Sequence, residues 1–296
     1  MTNKLNSLKN EEVKAKILVC YYQPWQIPKE DIFFPIQAGK AISGFSLKMQ
    51  GDDTGDNISI KNSTFSEFTA WYWGWKNIKA LYPNIEYVGL SHYRRFFALN
   101  EYWEHYAKID KDRIPKMENY ENLIRQKLDS KDIILVKQAS FQCNLKTQYG
   151  FWHNISDYFC MKDIIHEIYP EYDESWKYVF ENNNAISLYC LFIARYELFN
   201  KYFEWLFPLL FEAEKRIDVS KYDSDQKRVF AYLAERLLNV YVYHNKLKVL
   251  YEPIYFINCE KKIYPSKPNV KIIFKKIIEF IMPYGIAKWY KKNICC

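Results

Sequence analysis

The chain has 296 residues, of which 49% are hydrophobic, so it is long enough to bury a sizeable core and is not a disordered protein. Its seven cysteines form no C-x-x-C pair and have no regular spacing, which argues against a cysteine-based zinc site or a disulfide framework. Residues 261–296 hold nine lysines and one acidic residue, which gives this segment a net charge of +8. Since the net charge of the whole chain is +7, the rest of the chain has a net charge of about −1. Basicity is therefore a property of the tail, and any anionic partner is expected there.

Continuous apolar runs predict strands that are buried on both faces. The first covers residues 16–22, between charged residues and Pro24, and two similar runs cover 85–90 and 132–136. A further apolar run at 188–194 is a candidate for another strand.

Helices are predicted between and after these strands. The residues from Thr64 to Glu67 spell a capping box and precede aromatic residues at helical spacing, which predicts a crossover helix ending near Tyr82. Further helices are expected over 156–168, 196–214 and 224–243. Alternating strands and helices favour an α/β fold with a mostly parallel sheet, in which ligands bind beyond the carboxyl ends of the strands.

Basic side chains directly follow the second predicted strand. His92, Tyr93, Arg94 and Arg95 stand there, and guanidinium groups are suited to holding a diphosphate and stabilising its negative charge as it departs. The alternative is a solvated basic turn flanked by core aromatic residues.

An acidic, glycine-containing loop over residues 51–57 precedes the crossover helix. Its carboxylates, including Asp56, and the amide of Asn57 have the chemistry to orient a ribose or a sugar, or to bind a metal. An ordinary polar turn uses the same residue types, and the spacing does not match a calcium loop.

Two later helices carry polar residues on one face. The helix predicted from residue 224 aligns Arg228, Tyr232, Glu235 and Asn239, which makes Glu235 a candidate base or a member of an ion pair. His153 and Asp157, four residues apart at the start of another helix, are either a ligand and a base or a capping pair.

The motifs at residues 85–97, I-E-Y-V-G-L-S-H-Y-R-R-F-F, resemble the signature of a bacterial family catalogued as a domain of unknown function. Members of that family lie in capsule, exopolysaccharide and O-antigen gene sets, and some resemble galactofuranosyltransferases. Further matching segments follow in the same order along 16–253, at residues 52–62, 71–77, 153, 170–172, 204–207 and 235–240.

This resemblance implies a GT-A-like, Rossmann-like α/β glycosyltransferase. The expected reaction moves a hexose, with galactofuranose among the candidates, from a UDP-sugar to a lipid-linked or growing surface polysaccharide such as capsule, lipopolysaccharide or exopolysaccharide. Residues carried over to the donor site are Asp56, Asn57, His92, Tyr93, Arg94, Arg95 and Arg236.

The predicted mechanism assigns the diphosphate to Arg94 and Arg95, with Mg²⁺ or Mn²⁺ supplementary. Glu235 is the first candidate for the base that deprotonates the acceptor and Asp157 the second, while His153 is expected to contact the acceptor. The rival classes are a non-catalytic scaffold of a polysaccharide assembly complex and a nucleic-acid-binding protein, and the near-neutral body argues against the second.

The sequence divides into an N-terminal extension (1–15), a glycosyltransferase domain (16–258) and a basic tail (259–296). In the tail, apolar residues between 270 and 281 recur at helical spacing with lysines beside them, which predicts an amphipathic helix on an anionic membrane surface. The alternative is a terminal helix packed on its own domain. The N-terminus lacks the apolar core of a signal peptide, so a cytoplasmic protein on the inner face of the membrane is expected.

Overall fold

The computed structural model describes residues 12–100, 106–110 and 117–258. The strands are β1 Ala15–Tyr21, β2 Phe33–Gln37, β3 Gln50–Gly51, β4 Tyr87–His92, β5 Arg95–Phe97, β6 Tyr106–Asp110, β7 Ile133–Val136, β8 Ala139–Ser140, β9 Ala185–Ile186, β10 Phe192–Arg195, β11 Val249–Glu252 and β12 Ile254–Asn258. The α-helices are α1 Asn62–Phe65, α2 Phe68–Leu81, α3 Tyr120–Lys127, α4 Leu145–Trp152, α5 Ile155–Ile168, α6 Asp173–Glu181, α7 Tyr196–Arg216 and α8 Val229–His244.

The central sheet runs in the order β11-β7-β10-β4-β1-β2-β3. Neighbouring strands are parallel except at β10, which is antiparallel to both β4 and β7. The other strands of this row therefore end at one common edge, and the segment that leads into β10 arrives at the same edge. The predicted α/β class with a mostly parallel sheet is confirmed.

A helix lies very close to the middle of this sheet. All seven residues of β1 are buried, as a strand covered on both faces requires. Gly74 of α2 sits so near β1 that a Cβ there would lie 2.3 Å from Leu18 Cδ1. On its other side, α2 packs against α7 through the stacked rings of Trp75 and Phe207, whose centroids are 5.4 Å apart. This packing fixes the start of α2 relative to the strand ends.

Two local predictions differ from the structure. The capping box does not form: Ser66 breaks the chain into α1 and α2, with φ 50° and ψ −129°, and the side chain of Glu67 caps no backbone N–H. The strand predicted over 188–194 begins only at Phe192, because Tyr189 and Cys190 have φ values of 71° and 52° and form a turn. The apolar residues that precede Phe192 are therefore wholly or partly buried in a turn and do not extend the strand.

The other predicted elements agree with the structure within a few residues at each end, except that α8 begins at Val229 after a short 3-10 helix over Gln226–Arg228. The predicted tail helix lies outside the described residues. Within the described part of the chain, no helix is both long and apolar enough to cross a membrane.

Candidate active site

A cavity of about 630 Å³ opens at the edge where β1 and β4 end. Residues from β1, the α1–α2 junction, the β4–β5 hairpin, the turn before β10 and the first part of α8 line it together. Its charged and imidazole side chains are Glu67, His92, Arg94, Arg95, His153, Arg228, Glu235 and Arg236. A cavity with so many cationic groups is suited to an anionic ligand.

The hairpin between β4 and β5 carries both candidate diphosphate ligands into this cavity. His92 pairs with Arg95 across the hairpin, and the backbone N–H of Tyr93 donates to Cys20 at the end of β1 (3.1 Å). The Arg95 guanidinium lies over the rings of Tyr189 (4.2 Å) and Phe256 (4.9 Å). Burial lowers the pKa of Arg95 from its ordinary value, and its Nε has no hydrogen-bond partner among the described residues. Arg95 is thus a largely desolvated cation beside an open cavity.

His92 is neutral in this setting. Burial, with Arg95 as the next cause, lowers the pKa of His92 to about 3. Its Nε2 lies 3.1 Å from the carbonyl oxygen of Tyr189, and because a carbonyl only accepts, we place the ring proton on Nε2. The imidazole therefore orders the turn before β10 and adds no charge to the cavity.

Glu67 is a cavity residue that the sequence prediction missed. Its side chain is 16% exposed, with Oε1 4.0 Å from His92 Nε2 and Oε2 3.7 Å from Arg228 Nη2. Burial is the main cause that raises the pKa of this carboxyl above its ordinary value. The sequence assigned Glu67 to a capping box, and the positive φ of Ser66 that turns it toward the cavity leaves no local sequence signal.

Glu235 and Arg236 form the opposite wall, at the second and third turns of α8. Glu235 accepts hydrogen bonds from the Tyr189 backbone N–H at 2.7 Å and from Arg236 Nη1 at 2.9 Å. Arg236 is buried and also donates to Gln148 Oε1 at 3.0 Å. Behind them, Asn239 binds both backbone groups of Ser187. The helix face predicted from sequence thus meets the turn before β10.

His153 stacks on Tyr232, with ring centroids 4.1 Å apart, and lines the same cavity. Burial, followed by the nearby Arg236, lowers the pKa of His153 to about 3. His153 is therefore a neutral, partly covered ring that can contact a ligand through its polar atoms but does not act as a cation.

Comparison with known proteins identifies the family. The model of the family described as "Domain of unknown function (DUF4422)" matches residues 16–246. The chain belongs to this family. No curated protein matches it.

A solved structure with the same fold, titled "WbbM bifunctional glycosyltransferase apo structure", is similar to this DUF4422 chain at 29% identity and a TM-score of 0.73. The alignment covers 86% of this chain and 47% of that one, so the chain spans about half the length of WbbM. This similarity confirms the GT-A-like fold that was predicted from the sequence.

Three of the predicted site residues of this DUF4422 domain do not line the cavity. Asp157 is buried in α5, where Tyr222 donates to it at 2.6 Å. Asp56 is exposed and accepts from Tyr72 at 2.9 Å, and Asn57 bonds within its own loop to Gly55 and Ser59. The carboxylate that organises this loop is the fully buried Asp52, which accepts from the backbone of Gly39 and Lys40.

The described residues of the DUF4422 domain do not present a ready metal site. No group of three or more His, Cys, Asp or Glu side chains in this part of the chain is arranged to hold an ion. Mg²⁺ or Mn²⁺ dependence stays a prediction, and the steps proposed below use the residues of the chain alone.

Proposed function

We propose that this chain is a glycosyltransferase that moves a hexose from a UDP-sugar to a lipid-linked or growing surface glycan. The observation that carries the proposal is the convergence of Arg94 and Arg95 in one cavity at the carboxyl ends of β1 and β4. The likeness to a solved glycosyltransferase of the same fold supports it. The choice of hexose, including galactofuranose, belongs to the proposal.

The two arginines would hold the donor through its diphosphate. A guanidinium presents a planar set of donors that matches phosphate oxygens, and a desolvated cation such as Arg95 interacts strongly with an anion that replaces water. The same contacts favour the reaction, since negative charge grows on the diphosphate as its bond to the sugar breaks. Tyr93, His92 and Arg236 shape this part of the cavity, while Asp56 and Asn57, outside it, remain candidates for more distant donor contacts.

The transfer itself exchanges one bond to the anomeric carbon for another. The acceptor hydroxyl attacks that carbon, the bond to the diphosphate oxygen breaks, and the nucleoside diphosphate leaves with the electron pair. The hydroxyl proton passes to a carboxylate of the cavity, where Glu67 and Glu235 are available. Asp157 does not line the cavity, so we do not assign it this role, and we expect His153, which does line the cavity, to contact the acceptor.

The setting proposed for the reaction is the cytoplasmic face of the membrane, where lipid-linked acceptors are found. Nine lysines and an apolar stripe in residues 261–296 support peripheral binding to anionic lipid. Flotation of the intact chain and of a chain truncated after Pro265 with anionic vesicles tests this part separately, because only the intact chain should float.

The decisive experiment is a thermal-shift screen of UDP-hexoses, including UDP-galactofuranose, followed by transfer assays with the best binder. A ligand that binds the native state raises its melting temperature. We expect one UDP-hexose to stabilise the wild type and not Arg94→Ala. If no nucleotide sugar stabilises the folded wild type, or if Arg94→Ala transfers sugar at the normal rate, the diphosphate assignment is wrong.

A further inference from the structure

We propose that Glu67 is the base that accepts the proton of the attacking hydroxyl, and that a bound donor makes it a stronger base. This inference rests on the proposed function, because it needs an anionic donor at the arginines. It assigns Glu235 a positioning role in the same cavity.

The backbone before Glu67 is held in a conformation that few residues adopt. Ser66 has φ 50° and ψ −129°, and its carbonyl accepts from Asn62 Nδ2 (2.6 Å) and Thr69 Oγ1 (3.1 Å). Its hydroxyl accepts from Arg228 Nε at 2.9 Å. Strained backbone that is fixed by several contacts is typical of functional sites. Here its result is to turn the next side chain into the cavity.

The two cavity glutamates differ in how their oxygens are occupied. Both oxygens of Glu235 accept short hydrogen bonds, from Tyr189 N–H at 2.7 Å and Arg236 at 2.9 Å. The oxygens of Glu67 lie 3.7 Å from Arg228 Nη2 and 4.0 Å from His92 Nε2, and the carboxylate also accepts from its own backbone N–H, but no other described residue hydrogen-bonds to it. Each oxygen of Glu235 thus already accepts one hydrogen bond from another residue, whereas neither oxygen of Glu67 does so among the described residues, which leaves Glu67 the freer of the two to accept from an acceptor hydroxyl.

The charges around Glu67 explain how a donor would act on it. Burial raises the pKa of Glu67, while a hydrogen bond from its own backbone N–H and the charges of Arg228 and Arg95 lower it, and Glu235 raises it further. Among the described residues, the other titratable groups that interact with Glu67 include the neutral His92, the buried thiols of Cys20 and Cys190, and the hydroxyl of Tyr232. A diphosphate on Arg95 would offset one of the two cations that favour the ionised form, so donor binding raises the pKa of Glu67 further.

This interaction works in both directions. If the donor favours protonated Glu67, protonated Glu67 must favour the donor by the same factor. Wild-type donor affinity should therefore rise as the pH falls through the pKa of Glu67. A neutral amide at this position should bind the donor more tightly and without that pH dependence, while it cannot accept the proton.

The test compares the full chain with Glu67→Gln, Glu67→Asp and, as a matched control, Glu174→Gln at an exposed carboxylate of α6. We measure UDP-hexose affinity by calorimetry across pH, and transfer rate with a saturating acceptor. Glu67→Gln should lose about 10²- to 10⁴-fold in rate, the usual range for a general base, yet bind the donor about threefold or more tightly. Glu67→Asp should recover part of the rate, and the control should match the wild type.

Donor binding separates this role from a structural one, because a damaged cavity would weaken binding and rate together. Transfer at the wild-type rate by Glu67→Gln, or weaker donor binding by it, overturns the assignment while leaving the proposed function intact. A folded wild type that binds no nucleotide sugar overturns both.

Discussion

The backbone N–H of Tyr189 donates a 2.7 Å hydrogen bond to Glu235, 46 residues further along the chain. The carbonyl of the same residue faces His92 Nε2 at 3.1 Å, and its ring lies under Arg95. Tyr189 thus joins the β4–β5 hairpin to α8 while its own backbone has a φ of 71°. A change in any one of these partners is expected to move the others.

Replacing Arg95 by lysine should weaken donor binding although the charge is kept. A lysine has no planar fork and does not stack on Tyr189 in the same way, so we expect a loss of about 1.5 to 3 kcal/mol, or roughly tenfold or more in affinity. Calorimetry with the UDP-hexose that stabilises the wild type measures it. Arg195→Lys is the control, since Arg195 donates to Tyr87 and Leu128 at the other edge of the sheet. Equal donor affinity of Arg95→Lys and the wild type would contradict the proposed contact.

At Ser66, glycine should be better tolerated than alanine. Both substitutions remove the hydroxyl that accepts from Arg228, but glycine adopts a φ of 50° and a ψ of −129° without strain. We expect Ser66→Gly to be more stable to urea than Ser66→Ala by about 1 kcal/mol or more. Both should transfer sugar more slowly than the wild type, because the Glu67 side chain is less firmly placed. A more stable alanine variant would be inconsistent with the strained backbone.

Asn239→Ala should destabilise the fold. Asn239 Oδ1 accepts from Ser187 N–H at 2.9 Å and Nδ2 donates to Ser187 C=O at 3.1 Å, both in the buried interior. Removing the amide leaves two buried backbone groups without partners, which we expect to cost about 2 to 3 kcal/mol. Urea unfolding measures the loss, and Asn122→Ala on the exposed face of α3 should change stability by less than about 0.5 kcal/mol.

Asp157 should make stability depend on pH. Burial raises the pKa of Asp157 from 3.8 to about 6, although Tyr222 donates to it. Because the folded state holds the proton more tightly than the unfolded state, the stability from this group is present below about pH 4 and is lost as the pH rises through about 6.

Asp157→Asn should therefore match the wild type near pH 4 and be more stable above pH 6, by about 1 to 2 kcal/mol after allowance for solvent screening. Thermal melts across this pH range measure the difference. Asp163→Asn, an exposed residue of the same helix, serves as the control. A difference between wild type and Asp157→Asn that does not change with pH would argue against a raised pKa.

Helices and strands with a regular pattern of apolar residues could be predicted from the sequence. The apolar run of β1 and the long helix α7 appear within two residues of their predicted ends, because burial on a fixed face determines them. The short strands β2, β3 and β5 were missed, since they hold their conformation through neighbouring strands and not through their own composition.

Cavity residues could be predicted from the sequence where they share one face of a single helix. They could not be predicted where contacts between distant segments determine which side chains face the cavity. The spacing of Arg228, Tyr232 and Glu235 placed all three on one wall. In contrast, the local sequence predicted a capping box for Glu67 and not a position in the cavity. That position depends on the conformation of Ser66, which is maintained by hydrogen bonds from Asn62, Thr69 and Arg228. Asp56 and Asn57 have the right chemistry, but their loop folds around Asp52 instead.

Because β10 runs antiparallel to both of its neighbours, its two connections lie at opposite edges of the sheet, and only one of them borders the cavity. The segment that leads into β10 lines the cavity. The segment that leaves β10 after Arg195 lies at the opposite edge of the sheet, where the Tyr196 N–H donates to the carbonyl of Glu86. A fluorescent label attached at the exposed position of Glu197 should leave the chemistry unchanged. A change at Tyr189, by contrast, would reach the cavity directly, because its backbone contacts Glu235 and His92 and its ring lies under Arg95.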